Sequence, residues 1–149
     1  MNLFGVMETS GSAMLAERMR AEVVAANMAN AETTRTEDGG PYRRQQVVFA
    51  ADGGDPGFLN SMASAAGSGV DVAPGVHVAQ VVTDPSPPLM RYDPGHPDAG
   101  PDGYVAYPDI NPVTEMVDLM GATRAYGLNG SAVQAEKSMI TSALEIAKS

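Results

Sequence analysis

The stretch NPVTEMVDLMGATRAYGLNGSAVQAEKSMITSALEIAKS, residues 111–149, decides the fold. It predicts one long helix, because Asn111 can cap it, Pro112 suits the first helical position and no proline follows. Glu115 in the first turn and Lys148 in the last agree in sign with the helix dipole. At ~1.5 Å per residue the helix is about 55 Å long, more than a compact domain of this size covers. Packing partners from other chains are therefore expected.

Apolar residues follow two faces of this predicted helix, at least a quarter-turn apart. One face carries Ala125, Leu128, Ala132, Ala135, Met139 and Ile146, and the other carries Leu119, Ala122, Tyr126, Val133, Ile140 and Ala147. A helix that is apolar on two sides needs neighbours on two sides. Glu136 lies between the faces and predicts an arginine partner, Arg18 or Arg20, from the same chain or from another.

Residues 3–30 repeat this pattern and predict a second helix that is apolar on two sides. Two interpretations are open: an antiparallel hairpin buried against a central domain, or terminal helices from many copies that pack together. Under the second interpretation, the candidate assembly interface comprises Met14, Leu15, Met19, Val23, Ala26, Met28, Leu119, Ala122, Tyr126, Leu128, Val133, Met139, Ile140 and Ile146.

The middle third, residues 35–110, predicts a small β unit with rigid turns. Short strands are expected at residues 46–50, 77–83, 89–92 and 103–107, and eight of the eleven prolines lie from Pro85 to Pro112. Residues 52–69 are rich in Gly, Ala, Asp and Ser, which predicts a flexible loop. The predicted fold is mainly α with a small β part, divided into an N-terminal helical region (1–34), the β unit (35–110) and a C-terminal helical region (111–149).

Composition limits the classes of partner. The formal net charge of −9 argues against nucleic-acid binding, and the absence of cysteine excludes disulfides and thiolate metal sites. The sequence contains no run of about 18 apolar residues, so it predicts no transmembrane helix. The first 16 residues lack the basic start and the uninterrupted apolar core of a secretory signal. We therefore expect no membrane insertion, and any export would use another route.

One acidic loop raises the possibility of a metal site. Asp93, Asp98 and Asp102 surround His96, and Asp and His are competent metal ligands. The loop lacks the alternating ligands and the closing glutamate of an EF-hand, and Asp, Pro and Gly together also favour plain turns. No arrangement of nucleophile and base stands out, so the sequence predicts no catalytic, cofactor-binding or metal-binding residues and no enzyme activity. A soluble module that holds a divalent cation in this loop is the alternative function.

Three stretches resemble the family of flagellar axial proteins, which build the rod and hook. They are AERMRAEVVAANMANAETTRTEDGGPYRRQQVVF (16–49), DPSPPLMRYDPGHPDAGPDGYVAYPDINPVTEMVDLM (84–120) and ATRAYGLNGSAVQAEKSM (122–139). The run YDPGHPDA is similar to proximal-rod members rather than to paralogous rod or hook subunits. The likeness covers nearly the whole chain except residues 52–69.

The resemblance implies a non-enzymatic subunit of the proximal rod, the drive shaft that crosses the periplasm and transmits torque. It implies export through the flagellar type III pathway without a cleaved signal, an inner coiled-coil layer of terminal helices, and an outward-facing β part. The implied partners are other proximal-rod proteins, the rod junction protein at the membrane ring, the distal rod protein and the export apparatus. It implies neither a nucleic-acid partner nor a small-molecule substrate.

Overall fold

The computed structural model describes residues 3–51 and 75–148. Its elements in chain order are α1 (Leu3–Ala29), β1 (Gln45–Ala51), β2 (Val76–Thr83), β3 (Leu89–Tyr92), β4 (Tyr104–Tyr107) and α2 (Pro112–Lys148). β1 pairs with β2 and β3 pairs with β4, which gives two sheets of two strands each. The predicted fold class, mainly α with a small β part, is confirmed. The loop predicted at residues 52–69 lies outside the described residues.

Helix α2 begins where its capping residue requires. The backbone N–H of Val113 donates to Oδ1 of Asn111 at 3.0 Å, and the N–H of Glu115 donates to the carbonyl of Asn111 at 3.1 Å. The first bond satisfies an N–H group that the first turn of a helix leaves without an internal partner, and the second is the first i to i−4 bond of the helix itself. The helix then continues for 37 residues, as the lack of any later proline predicts.

The chain forms two compact units, and both helices contribute to each of them. The first unit combines Met1–Arg18, Phe49–Ala79 and Thr123–Ser149, and the second combines Met19–Val48 and Gln80–Ala122. Neither unit coincides with one of the three regions drawn from the sequence. That division therefore stays a prediction about how the chain is organised.

In the first unit, the beginning of α1 packs against the later part of α2 and against β2. A Cβ atom added at Gly130 would lie 3.9 Å from Cε of Met14, so that the two helices approach at ordinary contact distance. The hydroxyl of Ser12 accepts a hydrogen bond from the N–H of Val76 at 3.0 Å. Ser10 and Ala16 are buried.

The second unit contains most of the buried apolar side chains. They are Val23 and Val24 of α1, Val105 of β4, Ile110, and Ala122 of α2. β3 and β4 run antiparallel with Leu89 opposite Tyr107 and Tyr92 opposite Tyr104. Val105 is 1% exposed, whereas Tyr92 on the other face of this hairpin is 65% exposed. Val105 of β4 therefore faces the protein interior, whereas all four residues of β3 are exposed.

Gly103 closes the loop between β3 and β4 in a conformation that favours glycine. Its φ is +75°, and an added Cβ would lie 2.8 Å from Cε2 of Tyr92. Its carbonyl accepts a hydrogen bond from the N–H of Asp93 at 2.9 Å, and its N–H donates to the carbonyl of Gly100 at 2.9 Å. A side chain here would strain the backbone and displace an aromatic ring.

We expect Gly103→Ala to lower the free energy of unfolding by about 1–3 kcal/mol, the usual cost of a strained backbone conformation. Urea unfolding followed by circular dichroism measures this loss. Gly95→Ala is the matched control in the same loop, because its Cβ would meet only Oδ1 of Asp93 at 3.8 Å. Equal stability of the two variants would show that the loop does not depend on glycine at position 103.

Candidate functional site

A buried polar cluster joins three segments of the second unit. Asn27, near the end of α1, is 1% exposed. Its Nδ2 donates to the carbonyl of Gln45 at 2.8 Å and to Oε2 of Glu115 at 3.1 Å. Its Oδ1 accepts from the N–H of Gln45 at 2.9 Å and from the hydroxyl of Tyr42 at 3.2 Å. All four hydrogen-bonding positions of the amide are therefore used, which fixes its orientation.

Glu115 is the charged member of this cluster and is also 1% exposed. Nε of Arg44 donates to its Oε1 at 2.6 Å, and the arginine reaches Oδ2 of Asp118 at 3.5 Å. Arg20 of α1 lies 3.4 Å from the other oxygen of Asp118. Burying a carboxylate is tolerable only with such partners, so the cluster fixes which face of α2 points inward.

The cluster also affects the acidity of a tyrosine. Burial raises the pKa of the Tyr42 hydroxyl above its usual value, and the nearby charge of Glu115 raises it further. The hydroxyl therefore keeps its proton at neutral pH and remains a donor to Asn27. We refer to Asn27, Tyr42, Arg44, Gln45 and Glu115 as the Asn27 cluster.

The acidic loop that suggested a metal site uses its side chains differently. Oδ2 of Asp98 accepts a hydrogen bond from the hydroxyl of Thr34 at 2.8 Å, and its Oδ1 lies 3.7 Å from Arg35. Nδ1 of His96 accepts a hydrogen bond from the backbone N–H of Asp98 at 3.1 Å. Within residues 3–51 and 75–148, no three His, Asp or Glu side chains form a group able to hold a metal ion. The geometry thus gives the divalent-cation alternative no support.

The face of α2 away from the Asn27 cluster carries exposed apolar residues along its whole length. Helical geometry places twelve positions within a sector of about 100°, and all twelve are exposed. Two of them are Gly121 and Ser138. We call the other ten the outer stripe: Val113, Val117, Met120, Arg124, Leu128, Ser131, Ala135, Met139, Ser142 and Ile146. Its large apolar members range from 54% exposed at Met139 to 75% at Ile146. No segment of the described chain covers this face.

The structure sorts the fourteen predicted interface residues into three groups. Exposed are Leu15, Met19, Tyr126, Leu128, Met139 and Ile146; half-buried are Met14, Ala26, Met28, Leu119, Val133 and Ile140; buried are Val23 and Ala122. The last two belong to the core of the chain itself and have little surface left for a neighbour. The remainder stay candidates for contacts with other chains.

Sequence patterns did not identify two sets of residues that the structure brings together. Val113, Val117 and Met120 extend the outer stripe to the start of α2, and their spacing of four and three residues was a visible signal. The Asn27 cluster gave no such signal, because the hydrogen-bond partners of Asn27 lie 15 to 88 residues away in the chain. Arg20 meets Asp118. The arginine partner expected for Glu136, Arg18 or Arg20 from the same chain or from another, stays a prediction.

Comparisons with known proteins identify the family to which this chain belongs. The family "Flagella basal body rod protein" matches residues 7–35, and "Flagellar basal body rod FlgEFG protein C-terminal" matches residues 102–146. Flagellar basal-body rod protein FlgC of Borreliella burgdorferi is 40% identical over 98% of both chains. The FlgC proteins of Bacillus subtilis and Salmonella typhimurium are 40% and 37% identical, over 99% and 98% of this chain and 100% and 98% of theirs.

The chain belongs to the FlgC family of flagellar basal-body rod proteins. It is a structural subunit of the bacterial flagellar basal-body rod and serves motility together with other rod components. The resemblance seen in the sequence is confirmed. Neither helix of this FlgC-family chain, over the residues the structure describes, has an apolar window that would let it cross a membrane.

We expect Glu115→Ala to lower the free energy of unfolding by about 3 kcal/mol or more, because it leaves Asn27 and Arg44 without their buried acceptor. Asp109→Ala is the control, since Asp109 is an exposed carboxylate in the same unit. Thermal and urea unfolding of the two purified variants provide the comparison. A loss at Glu115 no larger than at Asp109 would mean that the Asn27 cluster does not hold the second unit together.

Proposed function

We propose that this chain is a non-enzymatic subunit of the proximal rod and that the outer stripe of α2 packs against helices of neighbouring subunits. The exposed stripe is the observation that carries the proposal. Six large apolar side chains are exposed along it, with Arg124, Ser131 and Ser142 between them. Clustered exposed apolar side chains of this kind mark interaction sites. Its spacing of three and four residues is the pattern by which one helix packs lengthwise against another.

The two faces of α2 have different tasks in this proposal. Glu115 and Ala122 are buried within the chain, so the face that they share belongs to the subunit itself. The outer stripe lies roughly opposite, and its large apolar side chains are exposed. A helical array uses contacts that do not close on themselves, so each subunit must present different surfaces to different neighbours. Leu15 and Met19, exposed on α1, supply a further apolar surface of this kind.

Membership of the FlgC family supports the finer parts of the proposal. We propose that the terminal helices, drawn from residues 1–34 and 111–149, form a coiled-coil layer in the assembled rod and that residues 35–110 face outward. The subunit would contact other proximal-rod proteins, the rod junction protein at the membrane ring and the distal rod protein. It would pass the flagellar export apparatus without a cleaved signal, take its place in the rod across the periplasm, and transmit torque.

Coupled folding follows from the same surface. Before assembly the outer stripe exposes apolar area that packing in the rod would cover, at roughly 25 cal/mol for each Å² removed from water. We propose that the ends of the chain are loosely ordered in the free subunit and become fully helical as they dock. A chain with loose ends is also suited to passage through a narrow export channel.

Leu128→Asp tests the outer stripe directly. Leu128 is 67% exposed, so the substitution leaves the fold of the subunit intact while placing a charge in the proposed contact. We expect loss of swimming in soft agar and absence of the variant from isolated basal bodies, with an unchanged unfolding midpoint. Val133 and Ile140 are less suitable positions, because both are half-buried within the chain.

Two controls accompany this test. Leu128→Met retains an apolar side chain and should swim normally. Thr141→Asp adds the same charge at an exposed position of α2 outside the outer stripe and should have little effect. Normal rods built with Leu128→Asp would refute the proposed contact.

A further inference from the structure

Glu136 is a second buried carboxylate in α2, and its surroundings differ from those of Glu115. It lies in the first unit and is 4% exposed. Its Oε2 is hidden from solvent and accepts no hydrogen bond from the residues that the structure describes. Val133 and Ile140, three residues before and four after it, lie on the same side of the helix and are half-buried. The carboxylate therefore sits on the packed side of α2.

The two glutamates differ in whether hydrogen bonds compensate for the burial of the carboxylate. Glu115 receives hydrogen bonds from Arg44 and Asn27, which offset the loss of water around its charge. At Glu136 no comparable donor reaches Oε2 within the described chain. An unpaired buried polar group favours any state in which water can return to it. Opening the end of α2 away from α1 is such a state.

We propose that Glu136 weakens the packing of the first unit in the free subunit, so that the end of α2 opens and docks when the subunit enters the rod. The proposal rests on the function proposed above, because an assembling subunit must release the end of a helix that would otherwise stay bound to its own chain. It assigns that release to one side chain. Glu115 and the second unit remain closed throughout.

Amide hydrogen exchange of the purified full-length chain tests the first part. Glu136→Met replaces the carboxylate by an apolar side chain of similar length, and Glu136→Gln removes the charge but keeps a polar group. We expect exchange across residues 130–148 to slow by roughly tenfold or more with Met and by less with Gln. Glu145→Gln, an exposed glutamate of the same helix, should change nothing. Unchanged or faster exchange in Glu136→Met would overturn the proposal.

Incorporation into rods tests the second part. Produced in place of the native subunit, Glu136→Met should enter isolated basal bodies less efficiently than the unmodified chain, although it is the more stable protein. Slower exchange with normal incorporation would show that opening at Glu136 does not serve assembly. A separate result would contradict the function proposed for the chain, namely absence of the unmodified subunit from the rod.

Discussion

The contact between the Glu115 carboxylate and Arg44, completed by the amide of Asn27, is the interaction on which the rest of the structure depends. A buried charge has few acceptable positions, because each of its oxygens must meet a donor. Here the donors come from α1 and from Arg44, the residue before β1, and the acceptor comes from the first turn of α2. This match fixes the rotation of α2 about its own axis. Once that rotation is set, Val113, Val117 and Met120 on the opposite side of α2 are exposed at the surface of the second unit.

The later part of α2 contains a second buried carboxylate, Glu136, whose Oε2 meets no donor among the described residues. In the first unit this part of α2 approaches α1 where Gly130 faces Met14. One helix thus combines a firmly held beginning with a weakly held end. For a rod subunit the combination is useful, because the firm part defines a repeating shape while the weak part can change its packing partner.

Local sequence signals predicted the elements well. Periodicity, the capping residue Asn111 and the clustering of proline placed both helices and all four strands to within a residue or two, since each depends on neighbours in the chain. Local signals could not predict which apolar residues the chain itself buries. Val23 and Ala122 are buried, whereas Leu128, which follows a similar pattern, is exposed. Burial is decided by partners far away in sequence. The Asn27 cluster was invisible for the same reason, although family resemblance identified the function correctly.

The central claim is that a single chain satisfies the inner face of α2 while other chains cover its outer stripe. A side-chain-resolution structure of the isolated basal body, with this subunit identified in the rod, tests it most directly. The account predicts that Asn27, Arg44 and Glu115 of one subunit remain in contact and that helices of neighbouring subunits cover Val117, Leu128 and Ile146. An outer stripe facing solvent, or a Glu115 paired with an arginine from another subunit, would contradict it.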